Sequence, residues 1–121
     1  MAEHLPLFTP GTDVTFTASA AVTGGQLVAV TGSRTVGPAP AGSAAWIGVA
    51  AHDAASGTKV LVQSGGIHEL ASTGTIAAGA NVIAGASGAV VTIGAETDFS
   101  KIVGVAIAAA AGNKVLVKLA R

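Results

Sequence analysis

The residues able to do chemistry in this chain are few. There are three histidines (His4, His52, His68), six carboxylates and no cysteine. Without cysteine there is no disulfide scaffold, thiolate metal site or cysteine nucleophile. A metal ion needs three or four ligands on workable geometry. The pairs His52-Asp53 and His68-Glu69 are adjacent in sequence, and adjacent side chains on an extended segment point to opposite faces. They read as surface or turn residues, and no metal site is expected. Asp53 and His68 with Ser56 or Ser64 have the residue types of a hydrolase triad, but no serine lies in a Gly-x-Ser-x-Gly elbow. Glu96 and Asp98 are the carboxylate pair that glycoside chemistry would use. They sit in a polar loop and read as solvated or capping groups. Residues 85–88 form a glycine turn, and no Gly-x-x-x-x-Gly-Lys-[Ser/Thr] phosphate loop is present. Four aromatics (Phe8, Phe16, Trp46, Phe99) provide no stacking platform for sugars or single-stranded nucleic acid. The reading is a protein with no catalytic, cofactor or metal residues, and not an enzyme.

Composition points the same way. Charged residues make up 10% of the chain, against roughly 25% in an ordinary soluble domain. Six basic groups balance six acidic ones, which removes the clustered positive charge of a nucleic-acid binder. Half the residues are apolar, so the chain folds rather than staying disordered. Its mean hydropathy of +0.68 raises the question of a membrane. The longest uncharged stretch, residues 70–95, is interrupted by five glycines and several hydroxyl residues. Residues 102–112, held between Lys101 and Lys114, are too few for the ~20 a span requires. No membrane segment or secretory leader is expected. A monomer of this mass exposes roughly 5,800 Å², and twelve charged side chains cover that poorly. Thr, Ser, Gly and Ala can cover part of it. Neighbouring subunits are the alternative, each contact taking about 800 Å² and excluding charge from its centre.

The elements that must carry these surfaces are strands. Residues 14–17, 26–31, 46–50, 59–63, 66–70, 81–84, 89–93, 101–106 and 114–119 are short β-favouring runs divided by glycine turns. Residues 37–42 (Gly-Pro-Ala-Pro-Ala-Gly) read as a loop. Alternation places Val60 and Val62 on one face and Leu61 on the other, with Val115, Leu116 and Val117 alike, so both faces of these strands are apolar and expected to be covered, by core on one and by core or a neighbouring subunit on the other. Residues 106–111 are nearly all alanine, the best helix former, yet six residues cannot hold a helix alone. A strand end followed by a turn is the expectation there. The strongest signal is a repeat. Residues 47–62 return as residues 103–117 with one deletion, keeping a Gly-Val-Ala run, an alanine stretch, a glycine and Lys-Val-Leu-Val. Residues 22–28 return more weakly as 76–83. In both copies a glycine, Gly48 or Gly104, interrupts a strand, where it usually marks a bulge or a close backbone approach.

An all-β fold follows: a small β-barrel or β-sandwich built from two related halves of about 55 residues, neither large enough to bury a core alone and so sharing one. The predicted organisation is an extended N-terminal arm at 1–12 and a single β domain at 13–121, with halves of about 13–70 and 71–121. Leu5, Leu7 and Phe8, stretched by Pro6 and Pro10, read as a frayed end or as an arm that orders on docking. Trp46 reads as the largest piece of the core or as an interface anchor. These four residues are the candidate interface set.

Residues 47–70, with Gly48-Val49-Ala50, Asp53-Ala54-Ala55, Gly57, Val60-Leu61-Val62 and Gly66-Ile67-His68-Glu69-Leu70, resemble the capsid cement, or head decoration, family of tailed bacteriophages. Val103-Gly104-Val105-Ala106 and the basic last strand resemble the close of its members. The chain departs from that pattern in the loop at 37–42 and the plain loop at 108–112. The resemblance implies a structural protein on the outer surface of an expanded phage head, assembled in the host cytoplasm. It further implies the major capsid protein as partner, a homo-oligomer with a trimer favoured, no cofactor, no nucleic acid and no membrane. A carbohydrate- or host-surface-binding β-module, like a head fibre, is the alternative.

Overall fold

The structure, a computed structural model, describes residues 13–121, so Leu5, Leu7, Phe8 and the rest of the expected arm lie outside the described residues. Ten short strands account for the fold: β1 (Asp13–Ala18), β2 (Leu27–Gly32), β3 (Thr35–Pro38), β4 (Trp46–Ala50), β5 (Lys59–Gln63), β6 (Ile67–Ala71), β7 (Asn81–Ala84), β8 (Val90–Thr92), β9 (Ile102–Ala106) and β10 (Lys114–Leu119). The first five close into a barrel in the order β1-β3-β2-β4-β5. The other five form a sheet in the order β6-β10-β9-β7-β8. The fold is all-β. Ala86–Gly88 and Phe99–Lys101 are single 3-10 turns. The alanine-rich stretch holds no helix: β9 ends at Ala106, the chain bends, and Ala111 bridges to Lys114.

The segment read as a loop at 37–42 begins as strand, because β3 runs through Pro38. Val36 gives its carbonyl to Ser19 on the β1 side, and Ala39 gives its N–H to Leu27 on the β2 side. Alternation therefore turns the Pro38 nitrogen toward β1, past the last β1–β3 pair at Ala18↔Val36. No ladder donor is lost there, which is where a strand tolerates proline.

The two sheets repeat each other pair by pair. Leu27↔Val49, Val28↔Gly48 and Ala29↔Trp46 join β2 to β4, with a bulge after Val28. Asn81↔Val105, Val82↔Gly104 and Ile83↔Ile102 join β7 to β9, with a bulge after Val82. The bulges sit at matching places, and the glycines opposite them explain why. A methyl group on Gly48 would collide with the Gln63 carbonyl, and one on Gly104 with the Lys118 carbonyl. Neighbouring backbones pass too close for any side chain. The turns match as well: Gly25 donates to Ala50 at 2.8 Å, and Gly79 to Ala106 at 2.7 Å.

Closure separates the halves. Thr17↔Thr35 and Ala18↔Val36 seal the first barrel, whereas one bridge, Ser72↔Val90, joins the edges of the second sheet. Ser72 replaces the buried Ala18, and its hydroxyl is enclosed without a hydrogen-bond partner. The interior of the first barrel, including Val28, Val36, Val60 and Val62, is one hydrophobic cluster. The interior of the second half, including Leu70, Val82, Val90 and Val117, is continuous with Leu27, Ala29, Trp46 and Val49 from outside the first barrel. The larger core thus belongs to both halves. The sheets meet at residues 64–66, between β5 and β6, slightly ahead of the division read from sequence.

Candidate functional site

The groups with chemical potential are spent on local structure. Leu61 N–H donates to His52 Nε2 at 3.3 Å, which leaves Nδ1 to donate to the Asp53 carbonyl at 2.9 Å. Asp53 accepts from the Gly24 N–H at 2.8 Å, tying the loop after β4 to the turn before β2. The His68 ring contacts the Gly65 carbonyl at 2.8 Å, and Ser64 donates to the Ile47 carbonyl. His52, Asp53, Ser64 and His68 are each held by neighbouring backbone, and the structure does not assemble them into a triad. Among the described residues, no three His, Asp or Glu side chains meet at a point.

Glu96 and Asp98 organise the loop before β9. Glu96 accepts from the Asp98 and Thr97 N–H groups and from Lys101 Nζ at 3.2 Å. These bonds, the one from Asp98 N–H foremost, hold its carboxyl below the usual range. Asp98 accepts from the Ser100 hydroxyl at 2.6 Å and from its N–H, which lowers its pKa likewise. Both are capping groups.

Of the four candidate interface residues, Trp46 alone lies among the described residues. The structure places it in the shared core at 0% exposure. Arg121 lies across its ring, 4.5 Å from the ring centre, and donates to the Trp46 carbonyl at 2.7 Å and the Ser100 carbonyl at 2.8 Å. Both sides of the junction between the halves are thereby clamped by one guanidinium.

The surfaces with something left to bind are apolar. On the outer face of the second sheet, Ile67, Lys118, Val105 and Asn81 form one cross-strand row. Glu69 and Leu116 continue into a second row with Ile107, whose N–H reaches the Leu116 carbonyl. Ile67 is 57% exposed, and Val105, Ile107 and Leu116 are exposed as well. Of the two covers expected for the second face of β5 and β10, the chain's own core is incomplete: Leu61 is half-buried and Leu116 open to solvent. Another apolar spot is on the first barrel, where Val30 is 45% exposed, while Ile47 is half-buried against the barrel interior. Sequence reasoning singled out the second face at Leu116 and missed Ile67, Val105, Ile107 and Val30. The available signal was in the repeat, where buried Leu27 has Asn81 as its counterpart.

No helix among the described residues is long and apolar enough to cross a membrane. A family model described as phage cement protein matches residues 8–120. No curated protein matches the chain. Among solved structures, the chain is similar to the N base of head fiber gp8.5 from bacteriophage phi29. The TM-score is 0.68 at 23% identity, with 89% of this chain and 92% of that one covered.

Proposed function

Because this chain belongs to the phage cement protein family, a structural component of the phage head, we propose that it decorates the outer surface of an expanded head and stabilises contacts between major capsid proteins. Family membership is the observation that carries this reading. The sparse charge and the unpartnered apolar faces support it, because lattice contacts need surface free of charge at their centres. The mechanism is linkage. A protein that binds the expanded lattice and not its disrupted form stabilises it by RT ln(1 + [L]/Kd), about 2.7 kcal/mol per site at a hundredfold excess over Kd. Lattice symmetry multiplies that term.

In this reading residues 13–121 act as a single domain and residues 1–12 as an arm, with Leu5, Leu7 and Phe8 as anchors on the major capsid protein and a trimer as the working oligomer. It is a structural role rather than an enzymatic one, on the exterior of the virion after assembly in the host cytoplasm. Mixing the purified protein with undecorated expanded heads should give saturable, stoichiometric binding. Deletion of residues 1–10 should weaken that binding while leaving the β circular dichroism signal intact. Heads that take up no protein would refute the reading.

The shared fold with a head-fibre base favours one alternative, a β-module that carries or forms a host-binding fibre. Specific hits on a glycan array, without head stabilisation, would select it.

A further inference from the structure

The loop after β9 lacks the side chains with which its counterpart closes on itself. Residues 51–54 and 107–110 hold matching places in the two halves. Their backbones follow one path. Ala51 N–H donates to the Leu61 carbonyl and Ala54 N–H to that of Val22, as Ile107 N–H does to Leu116 and Ala110 N–H to Ile76. In the first half the His52 ring stands beside β5 and accepts from the Leu61 N–H at 3.3 Å, while Asp53 pins Gly24. In the second half the same two positions are Ala108 and Ala109. What remains there is a cavity of about 180 Å³, lined by Ala108, Ala109, Ala111, Leu116, Glu69 and Lys114 among others. The Leu116 N–H, counterpart of the Leu61 N–H, has no hydrogen-bond acceptor among the described residues. Backbone donors are paired as a rule, and the other half shows a ring nitrogen as the group that pairs this one.

We infer that this cavity receives a histidine side chain of a partner protein, which does for the second half what His52 does for the first. A neutral imidazole carries one acceptor nitrogen and one N–H donor. The Leu116 N–H serves the acceptor. The donor, which His52 directs at the Asp53 carbonyl 2.9 Å away, has the Ala109 carbonyl in the corresponding place and the Glu69 carboxylate on the cavity wall. The alanines offer methyl groups to the apolar part of the ring. Other side chains fit less well. Lysine and arginine have no acceptor for Leu116, and a carboxylate has no donor and would face Glu69. The carrier is a protein rather than a small molecule because Leu116 and the adjoining Ile107 are exposed beside the cavity, where a chain bearing the histidine would cover them. The inference stands apart from the capsid reading, since the partner is defined by its histidine and the test uses no phage head.

The test follows amide resonances of the full chain at about pH 8, where imidazole is mainly neutral. A blocked histidine, N-acetyl-L-histidine amide, should shift the Leu116 resonance with a Kd on the order of 10 mM, as suits a ligand that buries one ring. The Leu61 resonance, whose N–H already has His52, should stay still. Pyrrole, a donor without an acceptor, and acetamide, which has both but no ring, should leave Leu116 unmoved. Ala108→His restores the ring from within, so it should abolish the shift and raise the melting temperature. His52→Ala should open the corresponding cavity in the first half, and the Leu61 resonance should then respond. Should that variant misfold, Ala108→His carries the comparison alone. A Leu116 resonance indifferent to blocked histidine, moved equally by pyrrole or acetamide, or still moved in Ala108→His would overturn the inference. A response to free imidazole but none to blocked histidine would overturn it too, as the mark of a small-molecule site. So would a Leu116 resonance that shifts on His4→Ala, because the chain's own N-terminal segment would then be the occupant.

Discussion

Trp46 and Ile102 occupy the same place in two copies of one β unit, each opposite the residue after a bulge. Trp46 is closed off from solvent and held under Arg121, while Ile102 remains half-buried. Backbone pairing is thus shared between the halves, while the energetic weight of a position depends on what the other half covers. The contrast teaches that a duplicated unit keeps its ladder and redistributes its core.

Trp46→Ala should have the largest effect, about 3–5 kcal/mol lost in urea unfolding, whereas Ile102→Ala should cost roughly a third of that. Equal losses would erase the contrast between covered and uncovered faces. Gly48→Ala and Gly104→Ala examine what the halves share. Each puts a methyl group against a carbonyl oxygen of the adjacent strand, and each should cost about 3 kcal/mol, at the upper end for overpacking. A much smaller loss at Gly104 would mean that the more open second sheet can give way. Ser72→Ala should raise stability, by about 1 kcal/mol, through removal of an unpartnered buried hydroxyl. Thermal melting checks it, and a lowered midpoint would show that the hydroxyl has a partner.

The smallest effect concerns the loop before β9. The carboxyls of Glu96 and Asp98 are held below their ordinary values of 4.5 and 3.8 by their bonds to Asp98 N–H, Lys101 and Ser100. A depressed folded-state pKa contributes stability that is fully present above the unfolded value and lost as pH falls through the folded one. Melting temperature should therefore fall below about pH 4.5, and Glu96→Gln should flatten that decline. An unchanged acid limb would show these solvent-exposed bonds to be energetically idle.

Strand positions were legible because alternation and glycine turns are local signals, and the repeat was legible because residues 47–62 return nearly intact at 103–117. Pro38 was misread because a proline's fitness for a strand depends on which neighbour its nitrogen faces, a fact of sheet order. Of the two covers expected for Leu116, the chain's own core is not the one it has. Apolar residues on both faces of β10 carry no local signal that separates a face buried in the same molecule from one left open. Leu27 and Asn81 held the missing information. Their difference in polarity at matched positions separates the buried face from the free one once the halves are aligned by pairing. Leu5, Leu7 and Phe8 remain readings of sequence.

The two hydrophobic clusters also impose an order on synthesis. Among the described residues, every member of the first barrel's interior lies between Phe16 and Val62, so that unit can complete its interior while the remainder is still being translated. The second unit cannot do the same, because Leu27, Trp46 and Val49 form part of its filling. The earlier half is a template on which the later one condenses, and a nascent chain that has emerged from the ribosome as far as residue 64 should be compact yet sticky at the face awaiting its sequel.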